Sequence, residues 1–208
     1  MPFLALRLDD ALLVRHGETA WSLSGQHTGS TDIPLTAAGE AAARALAPLL
    51  TPLRFARVWS SPLARARRTA ELAGRGAGLE LDADLMEWNY GAYEGLTNAE
   101  IQAKAPGWLV FRDGCPEGES PEAVGARADR VIARLRQGPG PSLVFAHGHL
   151  LRVLAARWLD LPPLAGRNLL LDTTTFSVLS DYRGTPALAS WNVPVVRGAD
   201  ADSPEQGR

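Results

Sequence analysis

The chain has a single lysine, Lys104, against twenty arginines, so arginine is the default cation and any one arginine carries little functional information. With that one lysine there is no Gly-Lys-Ser or Gly-Lys-Thr pair, which excludes a nucleotide-binding loop of the Walker type. The lone Cys115 cannot close an internal disulfide. Asp9 and Asp10 stand where a signal peptide would carry bases followed by an apolar run, and together these features predict a reducing, cytoplasmic setting. No apolar stretch approaches the ~20 residues of a membrane span, because Arg152 and Arg157 interrupt the most apolar run, 150–161, so no membrane partner is expected. There is no basic stripe with interleaved aromatics, and a formal net charge of -2 exerts no general pull on a polyanion, which argues against nucleic acid as a partner. Internal repeats and low-complexity segments are absent.

What the 208 residues do contain is 46% hydrophobic and 21% charged residues, the balance of a globular chain organised around one core. One catalytic domain over 1–196 and a loose tail over 197–208 are expected. Short apolar runs alternate with amphipathic segments, the pattern of parallel strands joined by crossover helices, hence an α/β three-layer sandwich with a mostly parallel sheet. Ala11 to Val14 reads as a buried strand. A helix follows from the N-cap Thr36, with Ala42, Leu46, Leu49 and Leu50 on one face. Arg57 to Ser60 reads as a second strand, and Ser61-Pro62 as the start of a helix whose first turn holds Arg65 near its anion-favouring end. Ser120-Pro121 repeats that start signal, and Val124, Ala128, Val131, Ile132 and Leu135 mark a buried face. Ser142 to Ala146 is a third strand, followed by His147-Gly148-His149 and a further helical pattern to Leu159. Thr174 to Leu179 and Ala187 to Trp191 read as strands near a sheet edge.

Three strand candidates therefore end in groups able to handle phosphate: Arg15-His16, Ser60 through Arg65, and His147-Gly148-His149. In an open α/β sheet, ligands bind beyond the carboxyl ends of the strands, so parallel neighbours would gather these segments on one rim. Only four histidines exist, and three of them, His16, His147 and His149, occupy those ends. Taken singly, each cluster is also compatible with a surface pair, and His27 with a polar loop residue.

The run Leu13-Val14-Arg15-His16-Gly17-Glu18-Thr19 resembles the signature of the histidine phosphatase, or phosphoglycerate mutase-like, superfamily. Gly29 to Thr36 with Gly39, then Ser61-Pro62-Leu63 with Arg65-Ala66 and Thr69-Ala70, are similar to the segments that follow in that family. Glu87 to Gly95 resembles its acid-bearing motif, and Ala146-His147-Gly148-His149 its second-histidine motif. The likeness runs from about residue 11 to 192. It implies a phosphoglycerate mutase-like fold and a phosphatase that needs no metal and no cofactor. In that scheme His16 attacks phosphorus and carries the phosphoryl group, while Arg15, Arg65 and His147 hold its oxygens. Glu87 protonates the leaving oxygen and later activates water. Ser22, Thr28, Tyr90, Gly148 and His149 would border the substrate, with 97–119 as a cap bearing Trp108 and Phe111.

Two competing chemistries follow from the same residues. His147-x-His149 could supply two ligands to a metal, but Leu150 and Leu151 come next and only His16 and His27 remain to complete a shell. A cofactor-dependent phosphoglycerate mutase would need extra basic residues after the acid motif, and between Glu87 and Glu119 only Lys104 and Arg112 are basic. A silent member that merely binds phosphorylated ligands is a third class. Trp21-Ser22, Gly25 to Gly29 and Phe111 to Ser120 look like the branch of sedoheptulose-bisphosphatase-like and acid phosphatases, which implies a small phosphorylated metabolite, a sugar phosphate, as substrate.

Overall fold

The structure is a computed structural model that describes residues 6–195; the tail expected at 197–208 lies outside the described residues. Six strands form one sheet: β1 (Ala11–Arg15), β2 (Arg57–Ser60), β3 (Glu80–Leu81), β4 (Ser142–Ala146), β5 (Phe176–Tyr182) and β6 (Thr185–Val193). Their order is β3-β2-β4-β1-β5-β6. The first four run parallel, whereas β5 and β6 are antiparallel additions at one side. The helices are α1 (Ala20–Ser24), α2 (Ala37–Ala45), α3 (Ala47–Leu50), α4 (Ala64–Leu72), α5 (Asn98–Lys104), α6 (Val110–Asp113), α7 (Pro121–Arg136) and α8 (Gly148–Trp158). None of the described helices is long and apolar enough to cross a membrane.

Alternation along the central strands builds two cores. Ala11 and Leu13 of β1, with Val144 and Ala146 of β4, face α7 and α8, whose Val124, Ala128, Val131, Leu150 and Leu154 complete that layer. Leu12, Val14, Leu143 and Phe145 face the other way, onto Leu46, Leu50 and Ala70. Both faces are covered, which is why these strands are apolar throughout.

One helix boundary differs from the sequence expectation, and another is capped from a distance. The helix from Thr36 breaks at Leu46 into α2 and α3, because Pro48 in the first turn of α3 has no N–H to continue the ladder. The helix expected to start near Pro62 begins at Ala64. Ser61 Oγ accepts from Leu63 N–H at 3.2 Å, and the Ala64 N–H donates to Asp32 Oδ1 at 2.8 Å, so the cap comes from a loop 32 residues away. Ser120 caps α7 with its own side chain as expected.

One close approach fixes how the first crossover meets β1. A Cβ on Gly39 would stand 2.2 Å from the Glu18 carbonyl oxygen, so only glycine lets α2 pass the loop that follows β1.

Candidate active site

The sheet brings the three reactive strand ends level. Arg15 is registered against Ala146, and Ser60 against Phe145, so β2, β4 and β1 finish side by side. Beyond them lies a half-open cavity of about 210 Å³, whose walls include Arg15, His16, Ser22, Thr28, Glu87, Tyr90, Gly148 and His149. Eight of the ten residues singled out from the sequence therefore line it. Arg65 and His147 stand behind the wall, both with no exposed surface.

His16 is almost fully buried, with its N–H donated to the Ala146 carbonyl at 2.9 Å. Its Nδ1 lies 2.7 Å from the Gly17 carbonyl. A carbonyl can only accept, so Nδ1 carries the hydrogen and Nε2 keeps its lone pair. Burial, followed by the Arg65 and Arg15 guanidinium groups, holds the imidazole well below the ordinary histidine pKa. A neutral ring with a free Nε2 is the form able to act as a nucleophile. The loop is anchored by Gly17 N–H donating to Thr69 Oγ1 at 3.0 Å, and Thr69 in turn to the Arg65 carbonyl.

Most of the Arg65 donors are directed at the protein itself. Nε donates to His147 Nδ1 at 3.2 Å, Nη1 to the Thr31 carbonyl, and Nη2 to the carbonyls of Thr28 and Gly29. Four of its five N–H groups are therefore taken by the protein. The reason is burial: a guanidinium with no exposed surface must be satisfied internally. What it does instead is set a tautomer. Because His147 Nδ1 accepts, its hydrogen sits on Nε2, and that buried N–H has no partner among the described residues. Burial and the same arginine hold His147 well below its ordinary pKa.

Arg15 Nε is a second buried donor without a partner. Its Nη1 donates to the Leu171 carbonyl, and its guanidinium lies flat against Gly148, where a Cβ would come within 3.3 Å of Cζ. Two buried donors left without a partner are unusual in a folded protein, and both belong to residues singled out from the sequence. The His16 and His147 rings are 5.1 Å apart between centroids.

Glu87 sits at the start of α8, where His147 gives no side-chain cap. Its Oε1 accepts from the amides of Trp88 and Leu150 at 2.9 Å, and its Oε2 from that of His149 at 3.0 Å. The carboxyl group is thus both helix cap and cavity wall. Arg127 steadies the segment that bears it, donating to the carbonyls of Asp84 and Met86 and pairing with Glu119 through Nε at 2.7 Å and Nη2 at 2.9 Å.

Tyr90 and His149 form a hydrogen-bonded pair at 2.5 Å. Burial raises the phenol well above its usual pKa and lowers the imidazole, so the hydroxyl donates to Nδ1. His147 and His149 consequently face different partners and do not converge as a ligand pair. Among the described residues no group of three or more His, Cys, Asp or Glu is arranged to hold a metal ion.

Sequence reasoning passed over Trp21, Gln26, His27 and Arg152, all of which also line the cavity. His27 stacks on His149 with ring centroids 6.0 Å apart and touches Trp108 edge-on. The available signal was that it completes the set of four histidines. For Arg152 and Arg127 there was none, since each is one of twenty arginines.

A family profile described as the histidine phosphatase superfamily (branch 1) matches residues 11–194. The chain is 39% identical to an acid phosphatase of Mycobacterium tuberculosis, over 89% of this chain and 93% of that protein. It is 38% identical to a sedoheptulose 1,7-bisphosphatase of Saccharomyces cerevisiae, over 77% of this chain and 70% of that protein. A solved structure of an open reading frame from Mycobacterium tuberculosis superposes with a TM-score of 0.86 at 38% identity, covering 90% of this chain and 98% of that one.

Proposed function

We propose that this chain, a phosphatase that belongs to the histidine phosphatase superfamily (branch 1), hydrolyses phosphomonoesters of small metabolites through a phosphohistidine on His16. The observation that carries this reading is the neutral His16, with Nε2 free, beside the unpartnered Arg15 Nε–H and His147 Nε2–H. His16 Nε2 attacks phosphorus as the ester P–O bond breaks, and Glu87 gives its proton to the departing oxygen. Water then attacks phosphorus, giving a proton to Glu87 as the new P–O bond forms and the P–N bond breaks, which returns free imidazole and inorganic phosphate. Arg15 and His147 donate to the non-bridging oxygens, and Arg65 acts on that group by orienting His147.

Ser22, Thr28, Tyr90, Gly148 and His149 shape the space for the leaving group, with 97–119 as its cap. The relative named sedoheptulose 1,7-bisphosphatase supports a phosphorylated sugar as substrate. The chemistry needs no metal, and the lone buried Cys115 fits a reducing cytoplasmic setting.

The test is turnover of p-nitrophenyl phosphate with excess chelator, together with acid quenching of enzyme mixed with phosphorus-32-labelled substrate. An acid-labile labelled protein should appear, and His16→Ala should lose both the label and roughly 10⁴-fold or more in rate. Undiminished turnover by that variant would overturn the proposal, and so would activity that vanishes with chelator.

A further inference from the structure

Arg65 is fully buried, yet among the described residues its four hydrogen bonds go to carbonyls and to His147, and none to a carboxylate. Burial lowers its pKa; Glu87 opposes this most among the carboxylates, and Asp32 and Glu94 add to that opposition. A guanidinium taken out of water is held best when its counter-charge reaches it through hydrogen bonds. Glu94 does so at one remove.

The partly buried Glu94 carboxylate grips the loop that holds Arg65. Oε1 and Oε2 accept from the Gly29 amide at 2.9 and 3.0 Å, and Oε1 also from the Thr31 amide at 3.1 Å. Gly29 permits this approach, because a Cβ there would stand 2.5 Å from Oε2 and 2.7 Å from the Trp88 carbonyl oxygen. The Gly29 N–H belongs to the same peptide group as the Thr28 carbonyl, which accepts from Arg65 Nη2 at 3.0 Å. The two charges are therefore joined through one amide, carboxylate to N–H and carbonyl to guanidinium. An anion at the N–H end of a peptide group polarises it and makes its carbonyl a stronger acceptor. At the far side of the guanidinium, Arg65 Nε donates to His147 Nδ1 at 3.2 Å.

The course of the loop is secured without this carboxylate. His27 N–H donates to the Leu96 carbonyl at 2.9 Å and Gly95 N–H to the His27 carbonyl at 2.8 Å, with Gln26 Nε2 on the Gly95 carbonyl. What Glu94 adds is charge and direction at the Thr28-Gly29 peptide.

We propose that Glu94 is a positioning residue for phosphoryl transfer: through the Thr28-Gly29 peptide it fixes Arg65, and Arg65 keeps the hydrogen of His147 on Nε2, toward the phosphoryl oxygens. The inference rests on hydrolysis at His16 and gives Glu94 no contact with substrate.

Nitrogen-15 NMR of the imidazoles reads this relay in the resting protein, with the His147 signals identified by their loss in His147→Asn. The native ring should show a bare Nδ1 and a protonated Nε2, and in Glu94→Gln the two resonances should move toward each other as the tautomers mix. On p-nitrophenyl phosphate, kcat should fall roughly 10-fold in Glu94→Gln with KM within about twofold, as expected of a weakened charge-assisted bond. In the His147→Asn background the same substitution should cost less than about twofold, because its effect passes through that ring. Glu94→Asp, which keeps the charge but falls a methylene short of the loop, should give the same pattern more weakly. A native His147 protonated on Nδ1 overturns the proposal without any variant. So does a His147 pattern unmoved in both Glu94 variants, or a rate loss that persists in full without His147, the mark of a loop merely loosened. Failure of the reading at His16 is distinct: turnover would survive His16→Ala while the imidazole pattern stayed sensitive to Glu94. A false relay would leave phosphohistidine forming in the native protein and His147 indifferent to Glu94.

Discussion

Acidification from pH 7 to pH 5 should separate the stability of this fold from its activity. Burial holds three imidazoles well below the ordinary value of 6.5: His16 and His147, where Arg65 and Arg15 reinforce it, and His149, where Arg152 does. In the unfolded chain the same rings titrate normally. As the pH falls through 6.5, the unfolded state binds protons that the native state refuses, so stability present above that pH is lost below it. Each ring contributes about 1.4 kcal/mol per pH unit once the pH is well below 6.5, and three give about 4 kcal/mol per unit. Integrated from pH 7 to 5 the loss is at most about 6 kcal/mol, against a total stability of ~5–15 kcal/mol for a typical domain. Carboxylates such as Glu40 and Asp84, whose pKa values the neighbouring arginines depress, act in a separate window below about 4.5. Urea unfolding followed by tryptophan fluorescence at pH 7, 6, 5.5 and 5 measures this directly, and His149→Asn should remove about a third of the slope. Because the His16 pKa is depressed well below 6.5 in the folded protein, kcat/KM should show no fall with an apparent pKa of 6.5. A stability that does not change between pH 7 and 5, or a rate that falls with an apparent pKa of 6.5, would refute the reasoning.

Three further outcomes follow. Glu87→Gln should slow hydrolysis of a sugar phosphate by roughly 10²- to 10⁴-fold but cost less on p-nitrophenyl phosphate, whose leaving oxygen needs no proton; equal losses on both would remove Glu87 as the acid. Gly39→Ala would gain about 1 kcal/mol of helix propensity in α2, yet a Cβ 2.2 Å from the Glu18 carbonyl oxygen costs more, about 1–3 kcal/mol from overpacking plus backbone displacement. A lower urea midpoint is expected, and an unchanged one would contradict the close approach. The Cys115 thiol is pushed up to about 12 by burial and by the nearby Glu119 and Glu94 carboxylates, so a thiol reagent at pH 8 should react fully only after denaturation.

The motifs were legible because each is a short-range pattern. Ala11 to Val14 reads as a buried strand that runs into Arg15-His16 whatever surrounds it, and Ser142 to Ala146 reads in the same way as one that runs into His147-Gly148-His149. The rim they share follows from right-handed crossovers joining parallel strands. The start of α4 near Pro62 was legible, but its cap Asp32 was not, since no local pattern connects Asp32 to Ala64. The division of α2 from α3 was legible in Pro48 and was outweighed by the regular spacing of Leu46, Leu49 and Leu50.

The amino-acid order alone thus determined the layering, the strand ends and which residues gather beside β1, since periodicity and turn chemistry act over a few residues. Only the tertiary structure decided what each charged group is free to do. Arg65 is occupied by carbonyls 34 to 37 residues away, and Arg152 is pinned at Nε and Nη2 but open at Nη1. The hydrogen of His147 is placed by a contact spanning 82 residues. In a chain with twenty arginines, what distinguishes a reactive cation from a structural one is whether its donors are already satisfied, and that depends on partners that only folding brings within reach.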